Sequence, residues 1–247
     1  MAKTAKWEIT PPPNGVLLID KVQGMTSHDV VAIARRQLKT KKIGHCGTLD
    51  PMATGLLILV IGKATKLQDF LMADQKEYTA TMKLGQTTGS QDRESDIVEE
   101  KPVPELSQQD VLTAFETYKG PFAQIPPMVS AIKKNGVRLY KLAREGKEVE
   151  RDPRAVEVFD YEVSRFESPE IDFRVVSSKG FYVRTYAHDI GQDLNCGAHL
   201  IALRRTRSGN FLVDGTLTSE ALKETERDQV IARMIPIEEI TTMLENK

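Results

Sequence analysis

Between positions 44 and 55 the chain reads Gly44-His45-Cys46-Gly47-Thr48-Leu49-Asp50-Pro51-Met52-Ala53-Thr54-Gly55. Three glycines and a proline in twelve residues predict a tightly turned loop. The apolar run Leu56 to Ile61 that follows predicts a buried strand. An aromatic base and a carboxylate lie within six positions, on a loop projecting from that strand, and Asp50 carries the group of a nucleophile or an acid–base catalyst. The Asp50-Pro51 pair equally suits a turn whose carboxylate bonds nearby amides, and the motif by itself leaves both readings open.

Other common chemistries fail on spacing. Gly55 to Lys63 has six residues between its glycines where a phosphate loop needs four, and Ala64 replaces the required Ser or Thr. No Gly-x-Gly-x-x-Gly follows a predicted strand and no Gly-x-Ser-x-Gly elbow exists. The two cysteines, Cys46 and Cys196, give neither a disulfide framework nor the paired spacing of a zinc site. No metal or cofactor is therefore expected, and the cysteine usage fits a reducing cytoplasm.

The elements that must position Asp50 follow from periodicity. Gly15 to Asp20 reads as a buried strand, and Ser27 is placed to cap a helix with Val30, Ala34 and Leu38 on one face. A helix is expected over Lys63 to Met72. Tyr78 to Leu84 alternates strictly, which predicts a half-buried strand with Tyr78 on its apolar side. Residues 86 to 105 are polar and acidic and read as a long loop, a candidate substrate-ordered lid containing Asp92. Ser107 caps a further helix to Lys119, and Asn135-Gly136 marks a hairpin followed by a short helix ending at Gly146. Strands at Val156 to Arg165 and Ile171 to Ser177, a helix to about Asn195, a strand at Gly197 to Arg207 and a helical segment from about 212 complete the pattern. The fold class expected is α+β, with a mixed, largely antiparallel sheet flanked by helices and loops. A flexible lead over 1–13 precedes a single catalytic domain over 14–247.

The 247 residues hold 34 Lys plus Arg against 35 Asp plus Glu, a net charge of −1. That near-neutrality conceals blocks: +5 over 1–90, −5 over 91–110, +3 over 111–150, −4 over 151–173, +4 over 174–211 and −4 over 212–247. A polyanion responds to local potential, so a basic face is compatible with a neutral total. The longest apolar run is too short to cross a bilayer and the N-terminus lacks a secretion signal, so a soluble cytoplasmic protein with no membrane partner is expected.

Four segments resemble the TruB-type tRNA pseudouridine synthases, in family order. Gly15 to Lys21 with Gly24-Met25-Thr26-Ser27 is similar to the first motif, and Gly44 to Gly55 to the catalytic loop. Lys76-Glu77-Tyr78 with Leu84-Gly85-Gln86-Thr87-Thr88 resembles the tyrosine motif, and Gly180-Phe181-Tyr182-Val183-Arg184-Thr185 the arginine motif. Cys196 to Leu200 and Leu203-Arg204-Arg205 also match. The resemblance implies the pseudouridine synthase fold and isomerisation of the uridine at position 55 in the T-loop of tRNA, without cofactor. It implies Asp50 as nucleophile, Arg184 as its ionic partner and Tyr78 as the residue that stacks on the flipped base. His45 would fill the gap left by that base, and Tyr182 and Leu203 would line the nucleoside pocket. Cys46 stands where many members have Thr, and residues 212–247 are too few and too acidic to supply a PUA-type domain. A monomer is expected, with basic surface around Asp50. An RNA-binding module with little catalysis and an Asp-nucleophile nucleoside hydrolase are the competing readings.

Overall fold

In the computed structural model, residues 13–72, 75–134 and 136–245 are described. Their strands are β1 (Gly15–Lys21), β2 (Ile43–Cys46), β3 (Thr54–Ile61), β4 (Lys76–Leu84), β5 (Gln86–Thr88), β6 (Ile97–Glu100), β7 (Gly120–Gln124), β8 (Lys133–Lys134), β9 (Val137–Arg138), β10 (Arg154–Glu167), β11 (Glu170–Ser177), β12 (Ala198–Ser208), β13 (Phe211–Leu212), β14 (Leu217–Thr218) and β15 (Ile235–Pro236). The helices are α1 (Ser27–Leu38), α2 (Gln68–Met72), α3 (Gln108–Glu116), α4 (Leu139–Arg144), α5 (Val183–Asp193), α6 (Ala221–Glu224), α7 (Arg227–Ala232) and α8 (Ile237–Glu245). The pairing is mixed and largely antiparallel, as α+β requires: β14 runs parallel to β1, whereas β3, β4, β10, β11 and β12 pair antiparallel.

The chain gathers into two compact units. The first takes the chain up to Pro51, Gly55–Met72 and the chain from Val213; the second takes Met52–Thr54 and Ala73–Leu212.

In the first unit β3 is buried on both faces along almost its whole length, and strands pair with both of its edges. β1 runs antiparallel from Gly15↔Ile61 to Lys21↔Gly55, and β2 from Ile43↔Ile61 to Cys46↔Ile58. A strand sequestered this way reads as continuous apolar sequence rather than alternation. The cap of α1 is Thr26, one residue before the expected Ser27. Thr26 and Asp29 form a reciprocal capping box, which leaves Ser27 buried in the first turn and free for another task. The C-terminal segment of this unit starts as strand β14 rather than as helix. Its helices then return to α1, where Gln37 Nε2 donates to the Leu222 carbonyl at 2.9 Å.

In the second unit β4 is flanked by β11 and β12, with Val175 opposite Tyr78 on one side and Arg205 opposite Tyr78 on the other. α5 and α3 cover one face through an aromatic cluster: Phe115 meets Phe173 at 5.3 Å and Tyr186 at 5.6 Å, and Phe181 meets Tyr186 at 5.3 Å. Such edge-to-face and tilted contacts add about 1 kcal/mol each beyond area burial. They hold α5 against β11.

Residues 86 to 105 depart from the expected loop. β5 and β6 pair as a hairpin there, Gln86↔Glu100 and Thr87↔Glu99, and Asp92 is buried and bridged to Leu200. The flexible lead expected over 1–13 lies, apart from Pro13, outside the described residues, as does Asn135 of the hairpin whose strands β8 and β9 form around it.

Candidate active site

Asp50 lies in the first unit, on the turn joining β2 to β3, and is half-buried. Gly47 enters that turn at φ 81°, a region natural to glycine. Both neighbours of Asp50 are tied to the stretch running from the end of β1 to the start of α1. Ser27 Oγ accepts from the Leu49 N–H at 2.9 Å and donates to the Leu49 carbonyl at 3.1 Å. The Pro51 carbonyl accepts from the Gly24 N–H at 2.8 Å and from Lys21 Nζ at 3.3 Å. Lys21 is itself fully buried and donates to the Met25 carbonyl at 2.7 Å. A carboxylate whose backbone is fixed on both sides loses little orientational entropy when it acts, which is the requirement for a positioned nucleophile.

His45 is in β2 rather than in a free loop. Gln68 Nε2 donates to its carbonyl at 3.1 Å, and its ring meets the exposed His28 edge-on at 5.5 Å. Both residues belong to the first unit, with Asp50.

Arg184 lies in the second unit, in the first turn of α5, and only 2% of it is exposed. A cation at a helix N-terminus opposes the macrodipole, at about 0.3–1 kcal/mol, so its place there needs other support. Nη1 donates to the Ser90 carbonyl at 2.6 Å, Nη2 donates to the Val129 carbonyl at 2.8 Å, and Nε lies 3.6 Å from Asp92 Oδ2. Asp92 is held in turn by Ser90 Oγ and by the Glu94 N–H at 3.0 Å. Thr185 Oγ1 donates to Gln91 Oε1 at 2.8 Å, which fastens the same turn to the same segment. The far end of α5 opposes its dipole too: burial, aided by the Asp193 charge, pushes the Asp189 carboxyl up to about 6.

Tyr78 and Leu203 share a face of the second unit's strands. Leu203 faces Ala80, two residues along β4 from Tyr78, and Arg205 faces Tyr78; all three of Tyr78, Leu203 and Arg205 are buried. Thr54, at the far end of the Asp50 turn but assigned to the second unit, donates to the Leu203 carbonyl at 3.5 Å. Tyr182 is the N-cap of α5 and is half-buried.

Among the sequence-derived candidates, then, His45 and Asp50 share one unit, and Tyr78, Tyr182, Arg184, Leu203 and Asp92 share the other. Sequence reasoning missed Ser27, Lys21 and Gln124 as supports. The signal for Ser27 was its neighbour: with Thr26 followed three positions later by Asp29, the cap was already supplied. Among the described residues no group of three or more His, Cys, Asp or Glu side chains could hold a metal ion, and no helix is long and apolar enough to cross a membrane.

A family model described as TruB family pseudouridylate synthase (N terminal domain) matches residues 35–183, and one described as tRNA pseudouridylate synthase B C-terminal domain matches residues 184–242. The tRNA pseudouridine synthase B of Opitutus terrae is 50% identical over 224 residues, 91% of this chain and 93% of that protein. The protein of the same name from Syntrophotalea carbinolica is 50% identical over 210 residues, 85% and 69% of the two chains. Among solved structures, a chain of a Cbf5–Nop10–Gar1 complex superposes with a TM-score of 0.71 at 30% identity, covering 92% of this chain. This chain spans 61% of the length of that one.

Proposed function

This chain belongs to the TruB family of pseudouridylate synthases, and on that premise we propose that it converts uridine to pseudouridine at position 55 in the T-loop of tRNA. In this reading Asp50 is the nucleophile, the target base is flipped out, and no cofactor takes part. The reaction breaks the bond from ribose C1′ to N1 of uracil, makes one from C1′ to C5, releases the C5 proton to water and leaves N1 carrying a proton in its place. Oxidation state is unchanged and nothing is hydrolysed, so an ionised carboxylate beside the sugar and the base is chemically sufficient.

The observation that carries the reading is the two-sided anchoring of Asp50, through Ser27 on Leu49 and through Gly24 and Lys21 on Pro51. A turn whose only task was to reverse the chain would not need four hydrogen bonds from a neighbouring segment around one half-exposed carboxylate. The remaining roles belong to the same proposal. Arg184 is the ionic partner that keeps Asp50 charged, since a guanidinium favours the ionised carboxylate. Tyr78 stacks on the flipped uracil, His45 occupies the gap that flipping leaves, and Tyr182 and Leu203 line the nucleoside pocket. The relatives are named for tRNA, and the basic blocks over 1–90 and 174–211 suit a polyanionic substrate; that the protein acts on it as a monomer is part of the same proposal.

The test is tritium release from tRNA labelled at uracil C5. Wild type is expected to release it and Asp50→Asn to release none. Binding without release would point instead to an RNA-binding module, and free uracil to a nucleoside hydrolase.

A further inference from the structure

Gln124, the last residue of β7, is 2% exposed, and its side-chain amide is committed to one partner. Its Oε1 accepts from the Tyr182 N–H at 2.8 Å and its Nε2 donates to the Tyr182 carbonyl at 3.1 Å. One side chain thus binds both main-chain groups of the residue that begins α5. Tyr182 has no side-chain cap of its own, having φ −110° and ψ 108° and no short polar group to reach the first turn. Two residues further on is Arg184. Five residues beyond Gln124, the Val129 carbonyl accepts from Arg184 Nη2 at 2.8 Å. The stretch leaving β7 therefore holds the start of α5 at two points, once through its backbone and once through the guanidinium.

We infer that Gln124 is a positioning residue for the reaction: it sets the entry of α5, and with it the Tyr182 ring and the Arg184 guanidinium. The inference rests on the function proposed above and adds a residue which that reading does not contain. The chemical reason for Gln at this position is that it supplies an acceptor and a donor on one planar group at the spacing of a peptide. Glu has the same shape but, when ionised, two acceptors. Its carboxylate would face the Tyr182 carbonyl without a proton between them, and a protonated Glu would restore the missing donor. Met keeps the volume and supplies neither bond.

The experiment is single-turnover tritium release from C5-labelled tRNA at saturating enzyme, with tRNA affinity measured separately, for wild type, Asp50→Asn, Gln124→Met and Gln124→Glu. A misplacement near 1 Å costs about 100-fold in rate. Gln124→Met is therefore expected to lose roughly 10- to 100-fold in the single-turnover rate while tRNA affinity stays within about two-fold. Gln124→Glu is expected to match it at pH 8 and to recover, as a ratio to wild type, as pH falls toward 5.5 and the buried carboxyl protonates. In unmodified wild type the Tyr182 amide proton should exchange slowly with solvent, a readout that does not depend on any variant folding.

Rates within two-fold of wild type for both variants, a rate loss explained wholly by lost tRNA affinity, a Gln124→Glu ratio flat in pH, or fast exchange at Tyr182 would each overturn the inference. Absence of release by wild type would overturn the underlying reading and this inference with it, whereas release by wild type and not by Asp50→Asn isolates the outcome at Gln124.

Discussion

Ser27 and Leu49, 22 positions apart, are joined by two hydrogen bonds through a single hydroxyl, which accepts from the Leu49 amide and donates to the Leu49 carbonyl. The residue after Leu49 is Asp50. A buried serine in the first turn of α1 therefore fixes the backbone immediately before the proposed nucleophile.

Ser27→Ala removes both bonds and leaves two buried main-chain groups unsatisfied. A loss of about 1–3 kcal/mol in stability is expected, measured by urea denaturation. A slower single-turnover rate of tritium release should accompany it, because the turn that carries Asp50 is loosened.

Asp92→Ala removes one carboxylate beside the buried Arg184, which keeps its bonds to the Ser90 and Val129 carbonyls, and is expected to cost about 2 kcal/mol, the range for a lost interaction with a charged group. Asp92→Asn, which keeps an acceptor for Ser90 and Glu94, should cost less. Parallel denaturation of the two variants checks the order.

Stability should fall as pH rises through the acid range because of Asp189. Its carboxyl, raised to about 6 by burial and by the Asp193 charge, holds its proton in the native state over a window, from its ordinary 3.8 upward, in which the unfolded chain has lost it. With fewer protons bound to the unfolded state, stability declines with pH between about 4 and 6 and that contribution is flat above. Asp189→Asn should abolish this component and raise stability at pH 8 by about 1 kcal/mol, after allowance for partial solvent screening. Melting temperatures of both proteins at pH 5 and pH 8 provide the comparison.

Gly191 allows α5 to pack on the start of β12. A Cβ there would lie 2.3 Å from the Ala198 nitrogen and 2.4 Å from the Ala198 Cβ, and neither can yield without moving backbone. Gly191→Ala is expected to destabilise by about 1–3 kcal/mol, seen as a lowered melting temperature.

Much of this architecture was legible because local signals and tertiary demands agree. Alternation alone places Tyr78 in a strand, and β4 buries it together with Ala80, Met82 and Leu84. Ser107 caps α3 with a complete capping box, as its sequence suggests. Where the reading failed, partners distant in sequence decide. Gly44 to Cys46 look like turn residues but extend because β3 offers them an edge. Asp92 reads as one more acid in an acidic stretch, yet its carboxylate is buried against an arginine 92 positions away. Gln124 carries no local signal at all, since an amide's value as a backbone clamp depends on the residue it meets. The roles of Asp50, Tyr78 and Arg184 came from motif resemblance. Periodicity assigned Tyr78 to a packed strand face and offered nothing for Arg184.

The central claim is that the Asp50 carboxylate drives isomerisation of a tRNA uridine. Single-turnover tritium release from C5-labelled tRNA, wild type against Asp50→Asn, measures it directly, with melting curves to establish that both are folded. The account predicts release by wild type and none above background by Asp50→Asn at undiminished tRNA binding. Equal release by a folded Asp50→Asn would contradict it.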